Sequence, residues 1–323
     1  MVKALVLGAT GFIGGHIAQA AIAAGWEVSG LRRDSTRTGH LGGFPVRWVQ
    51  GDLNDIASLQ TAMERMDVVF HAAAFYPKTG NPHKVPEQIQ TARSEIRNVI
   101  HAVQVAGVSR VIYTSSLTTI GHPCPHENRL ADESDFYRPG TLAKSGYYEA
   151  KIAMEKLFLE ACSGGLPGVI LNPTAVFGPG DMGSLLVAVS RGWMVAWLPG
   201  DINVVDVRDA AEAHIAAAQN GNIGERYIIG GHNYPVRDAL SLVARVAGVR
   251  PPRFEIPRWF LRALTGLGDL IPALPLPTNH LRAVHLWQGY NTQKAQGQFG
   301  LSPRPFEDTV CDSLAWFRQN GLL

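Results

Sequence analysis

A tyrosine and a lysine four residues apart, in Tyr147-Tyr148-Glu149-Ala150-Lys151, have the clearest chemical use in this chain. On a helix that spacing puts both side chains on one face. A free phenol titrates near pH 10, so it is a poor acid–base catalyst at neutral pH. A neighbouring ammonium favours the phenolate and brings its titration toward the working range. Tyr148 competes for the role, but four residues beyond it stands Ile152, so Tyr147 is the candidate general acid–base and Lys151 its partner. A hydroxyl to polarise a substrate oxygen is expected nearby, and Tyr113-Thr114-Ser115-Ser116 offers one. Ser116 is the candidate, with Thr114 and Ser115 lining the cofactor side; the other use of serines here is capping of the loop.

A second constellation stands at the start of the chain, in Gly8-Ala9-Thr10-Gly11-Phe12-Ile13-Gly14. Glycines at 8, 11 and 14 follow an apolar run and precede a long apolar helix. Gly8 permits a tight turn, Gly11 lets backbone approach a pyrophosphate, and Gly14 allows close helix packing. Thr10, Phe12 and Ile13 fall in the same cradle. In such folds an acid about 20 residues on holds the ribose hydroxyls. Here that position is Arg32, followed by Arg33. A guanidinium grips a 2′-phosphate that a carboxylate would repel. The expected cofactor is therefore NADP(H), with NAD(H) the alternative if the arginines form only a solvated basic loop. Asp52 is placed to accept from the adenine amine, or else to cap the Asp52–Asp55 turn, and Leu53 to pack on the ring. The small residues of His71-Ala72-Ala73-Ala74 allow backbone to lie against the cofactor.

These residues need elements to hold them. Lys3–Leu7, Glu27–Leu31, Val46–Gln50, Asp67–His71, Arg110–Thr114 and Gly168–Asn172 read as strands, apolar through the middle as when both faces are covered. Between them Ile13–Ala24, Ile56–Met66, Pro86–Ala106 and Ser145–Cys162 have helical spacing. Such alternation predicts an α/β fold, a Rossmann-type doubly wound parallel sheet with its ligand at the carboxyl ends of the strands. Further on, Val207–Asn220, Pro235–Ala247, Pro257–Leu267 and Asp308–Asn320 read as helices, Glu225–Ile229 as a strand, and 179–200 as loop and helix. The expected organisation is a dinucleotide domain of residues 1–172 and 203–230. Residues 173–202 and 231–323 then form a smaller, mostly helical substrate domain.

Composition narrows the function. Lysine plus arginine is 29 and aspartate plus glutamate 27 in 323 residues, a balance without the basic excess that nucleic acid requires. Three cysteines, Cys124, Cys162 and Cys311, suit neither a disulfide scaffold nor a zinc knuckle, so no metal is expected and a reducing, cytoplasmic setting is. No targeting segment is evident at the N-terminus, and no run of about 18 apolar residues spans a membrane. The most lipophilic stretch, 259–277, reads either as a core helix and loop or as a surface that touches lipid or a greasy substrate.

In order and spacing, Gly8-x-x-Gly11-x-x-Gly14, Asp52-Leu53, Ser116, Tyr147-x-x-x-Lys151 and Asn172-Pro173-Thr174-Ala175-Val176-Phe177-Gly178-Pro179 resemble the extended short-chain dehydrogenase/reductases, the NAD-dependent epimerase/dehydratase family. The likeness runs nearly end to end and is strongest to the dihydroflavonol-4-reductase-like and hopanoid-associated sugar-epimerase-like branch. It implies hydride transfer at nicotinamide C4, with Tyr147 as acid–base, Lys151 on the nicotinamide ribose, Ser116 on the carbonyl, and Pro173, Thr174 and Val176 along the nicotinamide. It also implies a homodimer through the helices Pro86–Ala106 and Ser145–Cys162.

The departures are informative. Sugar-nucleotide members carry an arginine before the Asp-Asp segment to hold the diphosphate, and the aligned residue here is Ile202. The bracing asparagine of the family aligns with Ala92 or Arg93. Trp193, Met194, Trp197 and Leu198 offer an apolar wall for substrate, or else packing between the domains. Phe75 and Tyr76, in the stretch Phe75–Pro82, read as a substrate-side flap. The leading expectation is an NADP(H)-dependent reductase or dehydrogenase of a small, fairly apolar ketone or secondary alcohol. The alternatives are a nucleotide-sugar epimerase or dehydratase with NAD, and a dinucleotide-binding sensor that does no chemistry.

Overall fold

The computed structural model describes residues 1–73, 81–124, 126–137, 140–142, 145–181, 185–271 and 278–323, with backbone alone for 278–280. Its first half alternates strand and helix: β1 (Lys3–Leu7), α1 (Phe12–Ala23), β2 (Glu27–Arg32), β3 (Val46–Gln50), α2 (Ile56–Met63), β4 (Val68–His71), α3 (Val85–Ala106), β5 (Arg110–Thr114), α4 (Gly146–Ser163) and β6 (Gly168–Pro173). Then follow β7 (Ala175–Phe177), α5 (Leu185–Ser190), β8 (Ala196–Trp197), β9 (Asp201–Asp206), α6 (Val207–Asn220), β10 (Arg226–Ile229), β11 (His232–Pro235), α7 (Val236–Ala247), β12 (Phe254–Glu255), α8 (Arg258–Leu270), α9 (Thr278–Ala283), α10 (Gln293–Phe299) and α11 (Phe306–Gln319).

Seven strands form one sheet in the order β10-β6-β5-β4-β1-β2-β3, parallel at every pairing. Its strands are apolar on both faces because both are covered. In β1, Ala4 and Val6 join the core beneath α1 and α6, while Leu5 and Leu7 join the core beneath α2, α3 and α4. Phe70 and Val69 of β4, and Leu171 and Ile170 of β6, divide the same way, as the two-residue strand period requires. Strand order reverses between β1 and β4, which leaves a crevice at their carboxyl ends. Gly8 and Ala72 directly follow those two strands.

The second half holds more strand than its composition suggests. β9 pairs in parallel with β7 and antiparallel with β11, and β12 pairs in parallel with β8. These strands of two to six residues carry too few positions to show a period. β9 makes its ladder in this small sheet and not in the seven-stranded one, so the expected boundary at residue 203 falls inside it. A third core, built on Phe177, Val204, Leu240, Phe306 and Phe317, lies among α5, α7, α11 and the small sheet. Helix boundaries also shift: α2 stops at Met63 rather than Met66, because Arg65 turns the chain with φ +58°. α8 runs on to Leu270, three residues beyond the expected end at Leu267.

Candidate active site

The glycine turn is shaped by contact. A Cβ on Gly14 would lie 2.2 Å from the carbonyl oxygen of Gly8. One on Gly8, where φ is +90°, would lie 2.7 Å from the Ala73 amide nitrogen. Both are closer than any side chain tolerates, so β1, α1 and the end of β4 meet only because these residues have none. Gly11 starts α1 with no side-chain cap, which leaves the first-turn amides to an anion. A cavity of about 280 Å³ opens here, lined by Gly8, Thr10, Gly11, Arg32, Arg33, Asp52, Leu53, Ala72 and Ala73, all singled out from sequence. Phe12 and Ile13 form the first turn of α1, half-buried.

In the wall of this cavity Arg32 closes β2 with its guanidinium 5.0 Å from the centre of the Trp48 ring, and it donates to the Arg37 carbonyl at 3.4 Å. Asp52 accepts from the Asn54 amide at 2.8 Å, whereas the helix cap in that turn is Asp55, which accepts from Ala57 and Ser58. Glu95 of α3 also lines the cavity, and burial pushes its carboxyl above the usual range. Nothing in the sequence marked Glu95 among the polar residues of a long helix.

The catalytic candidates meet at the ends of β5 and β6. Ser116 and Tyr147 line a second cavity of about 260 Å³, together with Thr174. The Ser116 hydroxyl oxygen accepts from the Thr118 amide at 3.2 Å, the expected loop cap, and this leaves its proton to point elsewhere. Tyr148 reaches the same cavity from a more buried place than Tyr147, the two rings meeting edge to face 5.8 Å apart. Lys151 is 3% exposed and donates to the Thr114 carbonyl at 3.4 Å. Burial pulls its ammonium down to about 8, against the attraction of Glu155. His71 beside it is buried, and burial, aided by the Lys151 charge, holds its imidazole at about 3, so it stays neutral. The Thr114 hydroxyl bonds His214 at 2.8 Å, so Thr114 offers the site its carbonyl and not its side chain. Ser115 is buried and its amide donates to Leu171 at 2.7 Å. Pro173 ends β6, and Val176 lies in β7 against the sheet core.

Glu155 extends the stripe of Tyr147 and Lys151 by one more helical turn and ties it to the strands. It accepts from Thr119 at 2.8 Å and Asn172 at 2.6 Å, and lies 3.0 Å from the Arg226 guanidinium. Asn172 in turn donates to the Ser116 carbonyl at 3.3 Å, and the Thr119 hydroxyl lies 2.9 Å from the same carbonyl, its single proton shared between that oxygen and Glu155. One buried carboxylate thus sets Ser116 relative to α4. Glu155 was not singled out from sequence; the four-residue period that runs on from Tyr147 and Lys151 is the signal that could have found it.

Two expected substrate residues are not brought to this cavity. Trp193 is exposed and lies under the Arg191 guanidinium, and Trp197 packs with the third core beside Arg237. The apolar wall comes instead from Trp287 and Tyr290, far along the chain, with Ile202. Of the two residues that align with the bracing asparagine, Ala92 is buried in the core and Arg93 lines a groove between α3 and α4, away from the Ser116 and Tyr147 cavity. Ala74, Phe75 and Tyr76 lie outside the described residues.

The family model described as the NAD dependent epimerase/dehydratase family matches residues 4–230. The chain belongs to the NAD-dependent epimerase/dehydratase family. It is accordingly an enzyme of the extended short-chain dehydrogenase/reductase group, with a site for a nicotinamide dinucleotide. A Synechocystis sp. protein whose name includes dihydroflavonol 4-reductase is 29% identical over 98% of this chain and 94% of its own length. Sterol demethylase protein B of Methylococcus capsulatus is 28% identical over 99% of both chains. The solved structure of a nucleoside-diphosphate-sugar epimerase from Pseudomonas aeruginosa superposes with a TM-score of 0.85, at 28% identity, over 100% of this chain and 99% of that one. Among the described residues, no helix of this family member is long and apolar enough to cross a membrane.

Proposed function

We propose that this enzyme is an NADP(H)-dependent reductase, or in reverse a dehydrogenase, of a small, uncharged and largely apolar ketone or secondary alcohol. The observation that carries this reading is the charge of the cavity beside Ser116 and Tyr147. Among the described residues it is lined by no lysine or arginine; its one charged residue is Asp201, and Leu117, Ala175, Ile202, Trp287 and Tyr290 supply much of the wall. A sugar nucleotide would bring a diphosphate with no cation to meet it and a carboxylate to repel it, which is costly in a protein site. A volume of about 260 Å³ also suits a small substrate.

When bound, a nicotinamide dinucleotide in the Gly8–Gly14 cradle would provide the hydride chemistry. The chain's own residues handle the oxygen and its proton. Ser116 donates to the carbonyl oxygen, and Tyr147 delivers the proton as the alcohol forms. Lys151, a cation at neutral pH, makes the phenolate that remains less costly. Arg32 and Arg33, which line the cofactor cavity, would hold the 2′-phosphate, and their charge supports NADP(H) over NAD(H). We assign cofactor binding to residues 1–172 and 203–230 and substrate binding to 173–202 and 231–323. We further propose a homodimer through α3 and α4, and a cytoplasmic setting that suits the three free cysteines.

Parallel titration with NADPH and NADH, followed by a panel of ketones and aldehydes and of nucleotide sugars, tests the reading. NADPH preference with turnover of uncharged carbonyls supports it. Equal affinity for both cofactors, or turnover of nucleotide sugars alone, defeats it.

A further inference from the structure

Helix α8 turns an apolar face outward. Leu261 and Gly268 are buried against the protein, and Asp269 pairs with Arg282. At about 100° per residue, Trp259, Ala263, Leu267 and Leu270 fall on the arc opposite those buried positions, with Phe260 at its edge. Trp259 is 70% exposed and Leu270 79%. The ribbon that leads into the helix adds Phe254 and Val195, both about two-thirds exposed, where the Arg253 amide donates to the Val195 carbonyl. A helix whose buried side is apolar ordinarily has a polar outer side; this one confines its polar residues to a flank.

That flank is cationic. Arg250, Arg253, Arg258 and Arg262 are all exposed, against Glu255 as the one acid between residues 250 and 271 not already paired within the chain. Outward Trp, Phe and Leu beside arginines is the pattern of a helix lying in a membrane interface. A second copy of the chain fits poorly, because a self-complementary contact would set the arginines of one copy against those of the other.

We propose that α8, with the β8–β12 ribbon, docks on an anionic bilayer surface, its apolar arc among the headgroups and its arginines on lipid phosphates. The docking does not depend on which carbonyl the active site accepts. It has a bearing on it nonetheless. Leu261 of α8 shares a crevice with Val284, and the short turn Val284–Leu286 runs directly into Trp287, a wall of the substrate cavity. The membrane face and the substrate wall belong to one unit, which suits a substrate that dissolves in lipid.

Sedimentation with vesicles tests this, comparing phosphatidylcholine alone with phosphatidylcholine mixed with phosphatidylglycerol. The full-length protein is expected to bind the mixed vesicles, at least about tenfold more tightly than neutral ones, and to be released by salt. Trp259→Ser with Leu270→Ser, and separately Arg258→Gln with Arg262→Gln, should each weaken binding by about tenfold or more. All four side chains are exposed, so the thermal unfolding midpoint should not move. Absence of binding to mixed vesicles, or binding that survives both double variants, overturns the proposal. So does self-association in the absence of lipid that Trp259→Ser with Leu270→Ser abolishes, since a second copy would then cover the face.

Discussion

Replacing Lys151 with Met should stabilise this protein while abolishing its turnover. The side chain is almost wholly buried, and its ammonium is pulled from an ordinary 10.5 to about 8. A shift of that size corresponds to about 3 kcal/mol against the charged form. Met keeps the length and bulk of the stem without the charge. What it gives up is small: a long hydrogen bond to Thr114 at 3.4 Å and a cation 5.8 Å from the centre of the Tyr113 ring, together about 1–2 kcal/mol. Glu155 does not become an orphan, because Asn172, Thr119 and Arg226 still hold it. The net gain at pH 7 is then about 1–2 kcal/mol. Its pH dependence is the diagnostic part. Between about 8 and 10.5 the unfolded chain binds the proton and the folded chain does not, so the wild type gains stability as pH rises through that window. Below pH 8 both states are protonated and the cost of the buried charge is constant. The advantage of Lys151→Met should therefore be flat from pH 6 to 8 and shrink toward pH 10. Urea unfolding of both proteins across that range measures it. A variant less stable at pH 7, or a gain that does not change with pH, would refute the reasoning.

Three further outcomes follow from the geometry. Tyr147→Phe should lower kcat by about 10²–10⁴-fold and leave NADPH affinity unchanged, as fluorescence titration and steady-state rates will show. Arg32→Ser should weaken NADPH about 10–100-fold, the loss of charge-assisted bonds to a phosphate, with NADH affinity little altered. Glu155→Leu should destabilise the fold by about 3–5 kcal/mol in urea unfolding, because it leaves the buried Arg226 without its carboxylate and frees Asn172 and Thr119 beside Ser116.

The sequence by itself determined the cofactor half of this protein. Gly8, Gly11 and Gly14 are legible because their chemistry lies in one short segment, and the strands around them are legible because a sheet covered on both faces needs uninterrupted apolar runs. Tyr147 and Lys151 are legible because a helix converts a spacing of four residues into a shared face. Only the tertiary structure decided the substrate side. Trp287 and Tyr290 stand more than 100 residues beyond Tyr147 in the chain, and no local period links them. Trp193 and Trp197 have suitable side chains in the expected segment, yet Trp193 stands exposed beside Arg191, and Trp197 of β8 packs with the third core. The helix at 258–270 shows the same division. Its composition left a choice between core and surface, and only packing, with Leu261 inward and Trp259 outward, chose. Short-range spacing encodes what backbone geometry brings together, whereas a cavity wall is a sum of long-range contacts that depends on how every intervening element packs.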